Sequence, residues 1–303
     1  MKLKYSKEIK GAKEQGKPIL AMESTIIAHG MPYPQNLNYA LEAESVCKSI
    51  GVTPATIAII EGTICVGLEE EELEILSLSK DIKKVSMSEL GIATSLGWNG
   101  ATTVSATMHV AKKNSIEVFA TGGIGGVHKN ADQTFDISQD LAALSSLSMV
   151  VVSAGAKSVL DLPKTVELLE TLGVCLVGFK TDEFPSFYSR SSGLKKVTEV
   201  HNVEEVSNVF LNNRSLETLG ATLVVNPIPA ESEIPIETMN PIINGAMVEL
   251  KKRGIGGKVV TPFLLNYIYE KTEGRSLDAN ISLALNNVQL GAKVAKFLFE
   301  KNS

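Results

Sequence analysis

The chain has 303 residues, 44% of them hydrophobic, enough to bury a large core in one or two domains. Its formal net charge of -5 leaves no global basic footprint and argues against nucleic acid as a partner, although a few lysines suffice for one phosphate. Cys47, Cys65 and Cys175 are scattered, odd in number and free of any CxxC spacing, so they read as reduced thiols of a cytoplasmic protein. The basic N-terminal stretch lacks an apolar core, so no secretory signal is expected, and no apolar run reaches the length of a membrane span.

In chain order, apolar runs alternate with helical patterns. PILAMEST (18–25) leads to LNYALEAESVCKSIG (37–51), and TIAIIEGTICVGL (56–68) leads to EEELEILSLSK (70–80). IEVFATGG (116–123) and SMVVVSAGAK (148–157) follow, then a helical pattern over 158–173. VCLVGFKTDEF (174–184) and ATLVVNPIP (221–229) are further strand-like runs, and three helical stretches lie near 235–253, 261–272 and 279–301. Such alternation predicts an α/β fold with a mostly parallel sheet. Continuous Val/Ile/Leu runs fit strands covered on both faces. KTDEFPSFYSRSSGLKK (180–196) breaks the pattern with aromatics, Pro185 and charges, and reads either as a functional loop or as a plain surface excursion.

Ligands of open α/β sheets bind beyond the carboxyl ends of the strands. That rule singles out Glu23 after ILAM, the TGGIGG segment after EVFA, Lys157 after MVVVSAGA, and Thr181, Asp182 and Glu183 after LVGFK. Glycines 122, 123, 125 and 126 let backbone approach a ligand or present amides to an anion, or simply form a flexible turn. They match neither a dinucleotide fingerprint nor a phosphate-binding GK[ST] loop. Asp136 and Asp140 share one face of any helix that contains them, where paired carboxylates suit Mg²⁺ or Mn²⁺. The plainer reading makes Asp136 a helix N-cap, leaves Asp140 solvated, and treats His128 as an ordinary loop histidine.

At Lys157, desolvation disfavours the ammonium and turns the amine into a nucleophile for a carbonyl carbon. The alternative is a junction lysine that binds phosphate or solvent. Glu23 reads as an acid or base with a raised pKa, or as a cap of the following turn. Lys84 reads as a point charge for phosphate or as part of a solvated charge run. No GxSxG, HExxH or cysteine triad is present.

Taken together, ESTIIAHGMPYPQN (23–36), EGTICVGL (61–68), GATTVSATM (100–108), FATGGIGGVH (119–128), FDISQDL (135–141), AGAKSVLD (154–161), TDEFPSFY (181–188), TPFLL (261–265) and ANISLALNN (279–287) resemble the pseudouridine-5'-phosphate glycosidases, in order and over nearly the whole chain. The resemblance implies one α/β/α domain over 1–303, with helices on both faces of the sheet, and a homotrimer. It also implies reversible, metal-dependent cleavage of pseudouridine 5'-phosphate to uracil and ribose 5-phosphate. A carbon leaving group needs an electron sink at C1', which a lysine imine supplies after ring opening. On that pattern Lys157 is the Schiff-base lysine, Glu23 the acid/base, and Asp140 the ligand of a Mn²⁺ ion. Lys84 contacts the phosphate, with Ser86 and Ser138 in support. Asn280 holds the uracil, and Thr121 and His128 line the site. Asp136 then becomes a cap or a support to the metal ligand.

Two departures stand out. Where the family has K-x-S-x-R-D, residues 84–89 read KVSMSE, and where it has Arg-Gly after the histidine, this chain has Lys129-Asn130. A Schiff-base lyase or aldolase acting on another phosphosugar is the alternative; it would share Lys157, Glu23 and Lys84 and have no use for Asn280 as a base contact.

Overall fold

Eleven short apolar segments pair into one sheet in the computed structural model, which describes residues 2–255 and 260–302. In chain order the strands are β1 (Leu3–Tyr5), β2 (Ile19–Met22), β3 (Thr53–Ile60), β4 (Thr63–Val66), β5 (Lys83–Val85), β6 (Gly100–Thr102), β7 (Val118–Ala120), β8 (Val150–Ser153), β9 (Cys175–Phe179), β10 (Thr198–Val200) and β11 (Thr222–Val225). The order β3-β2-β7-β8-β11-β9-β10 is parallel throughout. β8 (VVVS) and β11 (TLVV) are buried at every position, as strands covered on both faces must be.

β3 belongs to two sheets at once. Its first half, Thr53–Thr56, pairs in parallel with β2. Its second half, Ile57–Ile60, pairs antiparallel with β4, while Ala58 and Ile59 also pair antiparallel with β6. β1 extends β4 and β5 extends β6, so a small mixed sheet grows off the end of the parallel one. The run TIAIIEGTICVGL is thus a hairpin. Glu61 (φ 49°) and Gly62 (φ 72°) both take the left-handed conformation that a two-residue turn between twisted strands requires.

The EST tripeptide seals the seam where β2 parts from β3. The Ser24 hydroxyl donates to the Ile57 carbonyl at 2.7 Å and accepts the Thr102 amide at 2.9 Å. The Thr25 hydroxyl donates to the Thr102 carbonyl at 2.8 Å. These two side chains replace ladder bonds that the diverging strands cannot make.

Helices fall into two groups that cover the sheet. Helices Gln35–Ile50 and Val203–Ser215 each pack on helix Arg275–Asn302, which also lies against β2, β7 and β8. Helices Val104–Lys113, Gln139–Ser146 and Leu162–Thr171 form the second group. The helix expected near 261–272 spans Val260–Lys271, and that expected near 279–301 spans Arg275–Asn302. The expected α/β architecture with a mostly parallel sheet flanked by helices is the one observed.

Candidate active site

Parallel strands point their carboxyl ends one way, and three neighbours, β2, β7 and β8, deliver the chemistry. Glu23 directly follows β2, Thr121 and Gly122 follow β7, and Lys157 lies four residues past β8. An isolated bridge between Ile124 and Ala156 extends the β7–β8 pairing past the strand ends and fixes the path on which Lys157 sits. Glu23, Lys84, Lys157, Gly122 and Asn280 share the walls of one cleft of about 480 Å³, mouth included.

Glu23 is 4% exposed and accepts a short hydrogen bond from the Thr121 hydroxyl. Burial holds its carboxyl above the usual carboxylate range. The Lys157 and Lys84 ammonium groups and the Thr121 bond pull the other way, and the Asp140 carboxylate adds to the upward push. A carboxyl whose pKa is raised by burial, close to a lysine, is an arrangement suited to moving protons. Lys157 is half-buried, its backbone fixed by the Ile124 carbonyl at 3.1 Å.

Behind this pair stands the glycine segment. Several amides here are spent inside the protein: Ile124 donates to the Gly155 carbonyl and Gly125 to Asp140 Oδ2 at 2.8 Å, and just beyond the glycines Val127 donates to Thr165 Oγ1 and His128 to the Asp136 carbonyl. A side chain at Gly125 would run into Ser138 and Asp140, and one at Gly123 would strike the Phe187 ring. The glycines are therefore there so that other side chains can close in, and the segment is a packed wall more than an open anion cradle. Asn287, fully buried on the long C-terminal helix, donates to the Thr121 carbonyl at 2.9 Å and pins the end of β7. Asn280 stands two turns earlier on the same helix and faces the cleft.

Asp140 is 5% exposed, not solvated as the plainer reading had it. Its Oδ1 accepts the Ser105 amide at 2.9 Å, and Oδ2 accepts that of Gly125. Asp136 is no N-cap: Ser138 caps helix Gln139–Ser146 by accepting the Asp140 amide at 3.2 Å. The Asp136 carboxylate instead faces His128 Nδ1 at 3.8 Å. Burial and the nearby Lys84 and Lys157 charges push the His128 imidazole down from its ordinary pKa, against Asp136.

Lys84 comes from β5, on the small mixed sheet, and its charge is felt by Glu23, His29 and His128. Two residues on, Ser86 caps a single turn, Met87–Glu89: its hydroxyl donates to Glu89 Oε2 at 2.8 Å, and its amide donates to the same oxygen at 3.1 Å. The altered segment thus keeps its shape through a capping box, for which glutamate has the reach. Ser86, Thr121, His128, Ser138 and Asp140 do not themselves line the cleft, and neither do Thr181, Asp182 and Glu183.

Three contributors were not singled out from the sequence. Phe187, from the long loop, forms a cleft wall with a left-handed backbone (φ 60°), a conformation that bulky residues rarely adopt. Ile26 and His29, from the short helix Thr25–His29, form another side. The sequence offered a signal for two of them: an aromatic where the apolar pattern stops, and a histidine six residues beyond Glu23.

A family model described as Indigoidine synthase A like protein matches residues 8–297. A pseudouridine-5'-phosphate glycosidase of Staphylococcus aureus is 50% identical over 293 residues, 97% of this chain and 95% of the relative. Another, of Caldanaerobacter subterraneus, is 50% identical over 96% of this chain and 94% of its own length. Among solved structures, an indigoidine synthase A-like protein of Thermotoga maritima superposes with a TM-score of 0.90 at 39% identity, covering 99% of this chain and 97% of its own. The prealnumycin C-glycosynthase AlnA, solved in complex with ribulose 5-phosphate, gives 0.91 at 31% identity, covering 100% and 98%. With near-complete coverage in both directions, the chain belongs to the pseudouridine-5'-phosphate glycosidase family.

Proposed function

We propose that this protein reversibly cleaves the C–C glycosidic bond of pseudouridine 5'-phosphate to give uracil and ribose 5-phosphate. The observation that carries the reading is the buried Glu23, its pKa raised by burial, in one cleft with Lys157 and Lys84. The likeness to a C-glycosynthase solved with a pentulose phosphate adds weight, since joining and breaking a carbon glycoside are one reaction run in two directions.

The chemistry follows from the placement. Glu23 gives its proton to the ring oxygen as the C1'–O4' bond breaks, and Lys157 Nζ forms a bond to C1'. The new ammonium returns a proton to Glu23. The nitrogen lone pair then forms the C=N bond as the C1'–C5 bond breaks. The electron pair stays on C5 of uracil, which takes the proton from Glu23. Water hydrolyses the iminium, freeing Lys157 and open-chain ribose 5-phosphate. Lys84 holds the phosphate, with Ser86 and Ser138 bordering that region. Thr121 orients Glu23, and His128 stands against Asp136 behind the cleft.

Mn²⁺ is the proposed metal. Among the described residues no three His, Cys, Asp or Glu side chains form a cage, so an ion here would rely on a carboxylate and water. Asp140 is the expected ligand, with one lone pair of each oxygen already given to an amide. Asp136, 42% exposed beside His128, offers the more open carboxylate. When bound, such an ion supplies an ordered shell of water next to the sugar. Calorimetric titration of Mn²⁺ into Asp136→Asn and Asp140→Asn assigns the ligand.

We also place the enzyme in the cytoplasm as a homotrimer. Three unpaired thiols fit a reducing compartment, and among the described residues no helix is long and apolar enough to cross a membrane. Sedimentation would test the trimer. Uracil release from pseudouridine 5'-phosphate with Mn²⁺, with unphosphorylated pseudouridine alongside, tests the reaction. Release from the phosphate alone is expected. No release from either by folded, Mn²⁺-loaded protein would leave the Schiff-base aldolase or lyase reading in its place. Borohydride trapping of ribose 5-phosphate on Lys157, read by peptide mass, tests the imine.

A further inference from the structure

The cleft is lined by unlike groups. Charged Glu23, Lys84 and Lys157 line it together with apolar Ile26, Phe187, Pro262 and Leu265, and the part shared with the adjoining pocket (His29, Gly30, Pro262, Leu265, Asn280) holds none of the charged groups. Two polar atoms in the shared part are buried and, among the described residues, make no hydrogen bond: Asn280 Oδ1 and His29 Nε2. A buried polar atom without a partner is costly, and native proteins keep few of them unless something arrives to satisfy them. Both side chains also line a second chamber, of about 770 Å³, that adjoins the first through His29, Gly30, Pro262, Leu265 and Asn280. They therefore stand at the threshold between the two spaces. Gly122 keeps this corner open: a side chain there would meet Ile26, Asn280 and Leu283.

A flat, uncharged ring with a polar edge fits apolar walls and two waiting polar atoms, whereas a phosphate fits the two lysines. Burial and the Lys84 charge hold the His29 imidazole below its ordinary pKa, so it meets a ligand as a neutral hydrogen-bonding group, poorly suited to a dianion. Asn280 was already expected to contact the base. We infer that His29 is a second specificity-determining residue, which hydrogen-bonds the polar edge of the nucleobase through Nε2 at the threshold of the adjoining chamber. The inference rests on the proposed glycosidase reading for the identity of the base.

The test uses the condensation direction, in which uracil and ribose 5-phosphate are separate substrates with separate KM values. His29→Phe keeps a flat ring and removes both nitrogens; His29→Gln returns an amide hydrogen-bonding group. The expected result is a rise of about 10-fold or more in KM for uracil in His29→Phe, the size of one lost hydrogen bond to a partner left unpaired. The KM for ribose 5-phosphate should stay within about 2-fold, the melting temperature should hold, and His29→Gln should recover part of the loss. A rise confined to ribose 5-phosphate would make His29 a phosphate ligand and overturn the inference. So would unchanged KM values with a lower melting temperature, which would mark a structural role. Calorimetry of uracil binding separates this from failure of the reaction itself. If wild type turns nothing over yet binds uracil, and His29→Phe does not, the glycosidase reading falls and the base contact stands. Equal binding by both proteins would overturn the contact.

Discussion

The parallel body and the small mixed sheet contribute to the cleft in different ways. β2, β7 and β8 carry Glu23, Thr121 and Lys157, and these strands are locked by pairing on both sides. β5 carries Lys84 on a three-residue strand that pairs with β6 alone, and Ser86 follows on a single turn. The first region holds groups that must meet a reacting atom within a fraction of an ångström; the second holds a long, flexible cation that need only neutralise charge. The segment after β5 differs at residues 88 and 89 from the pattern the resemblance implied, as residues 129 and 130 do in the loop after β7. The acid/base and the amine sit on strands paired on both sides, and the phosphate lysine sits on a short edge strand.

Substitutions can break that division, and the largest effect is expected at Lys157. Lys157→Ala should reduce uracil release to background, a loss of at least about 10³-fold, because no other described amine shares the cleft except Lys84 on the far sheet. Substantial residual turnover would remove the imine. Glu23→Gln should cost about 10²–10⁴-fold in kcat, the usual worth of a positioned acid/base. Stability supplies a separate check on Glu23. Its folded-state pKa lies above the ordinary 4.5, so the folded protein holds the proton where the unfolded chain has released it. Stability from this group is complete below that value and is lost as pH climbs towards the folded pKa. The melting temperature of Glu23→Gln relative to wild type should therefore rise with pH; a difference independent of pH would mean the carboxyl is not held protonated.

Lys84→Ala probes the other region. Its KM for pseudouridine 5'-phosphate should rise by about 10- to 100-fold, with a smaller change in kcat and little change for any turnover of the unphosphorylated nucleoside. Equal losses on both substrates would place Lys84 with the chemistry and erase the distinction. The smallest effect belongs to the seam. Ser24→Ala leaves the Thr102 amide and the Ile57 carbonyl without this buried partner and should cost about 1–3 kcal/mol of stability. Denaturant unfolding reads that cost, and an unchanged midpoint would show that the two sheets need no such stitch.

Much of the parallel body was legible because burial on both faces writes itself as unbroken Val/Ile/Leu, as in β8 and β11. The mixed sheet was not, because three-residue strands such as β5 (KKV) and β6 (GAT) carry too little pattern to register. Glu61-Gly62 hid inside one apolar run, and only the left-handed turn splits it. In the site, Glu23 and Lys157 followed from the strand-end rule, and Asn280 from the family resemblance. Asp136 misled, since DISQDL offers two capping side chains and the chain uses the serine. The glycines left two readings open, because a sequence cannot tell whether they admit a ligand or the protein's own side chains.

The long C-terminal helix links two ends of the reaction. Asn280 faces the place proposed for the base, Asn287 grips the Thr121 carbonyl two turns later, and the Thr121 hydroxyl grips Glu23. Base and proton therefore pull on one line of contacts, and linkage makes any coupling between them reciprocal. Whatever factor uracil imposes on the proton affinity of Glu23, a change in Glu23 protonation must impose on the affinity for uracil.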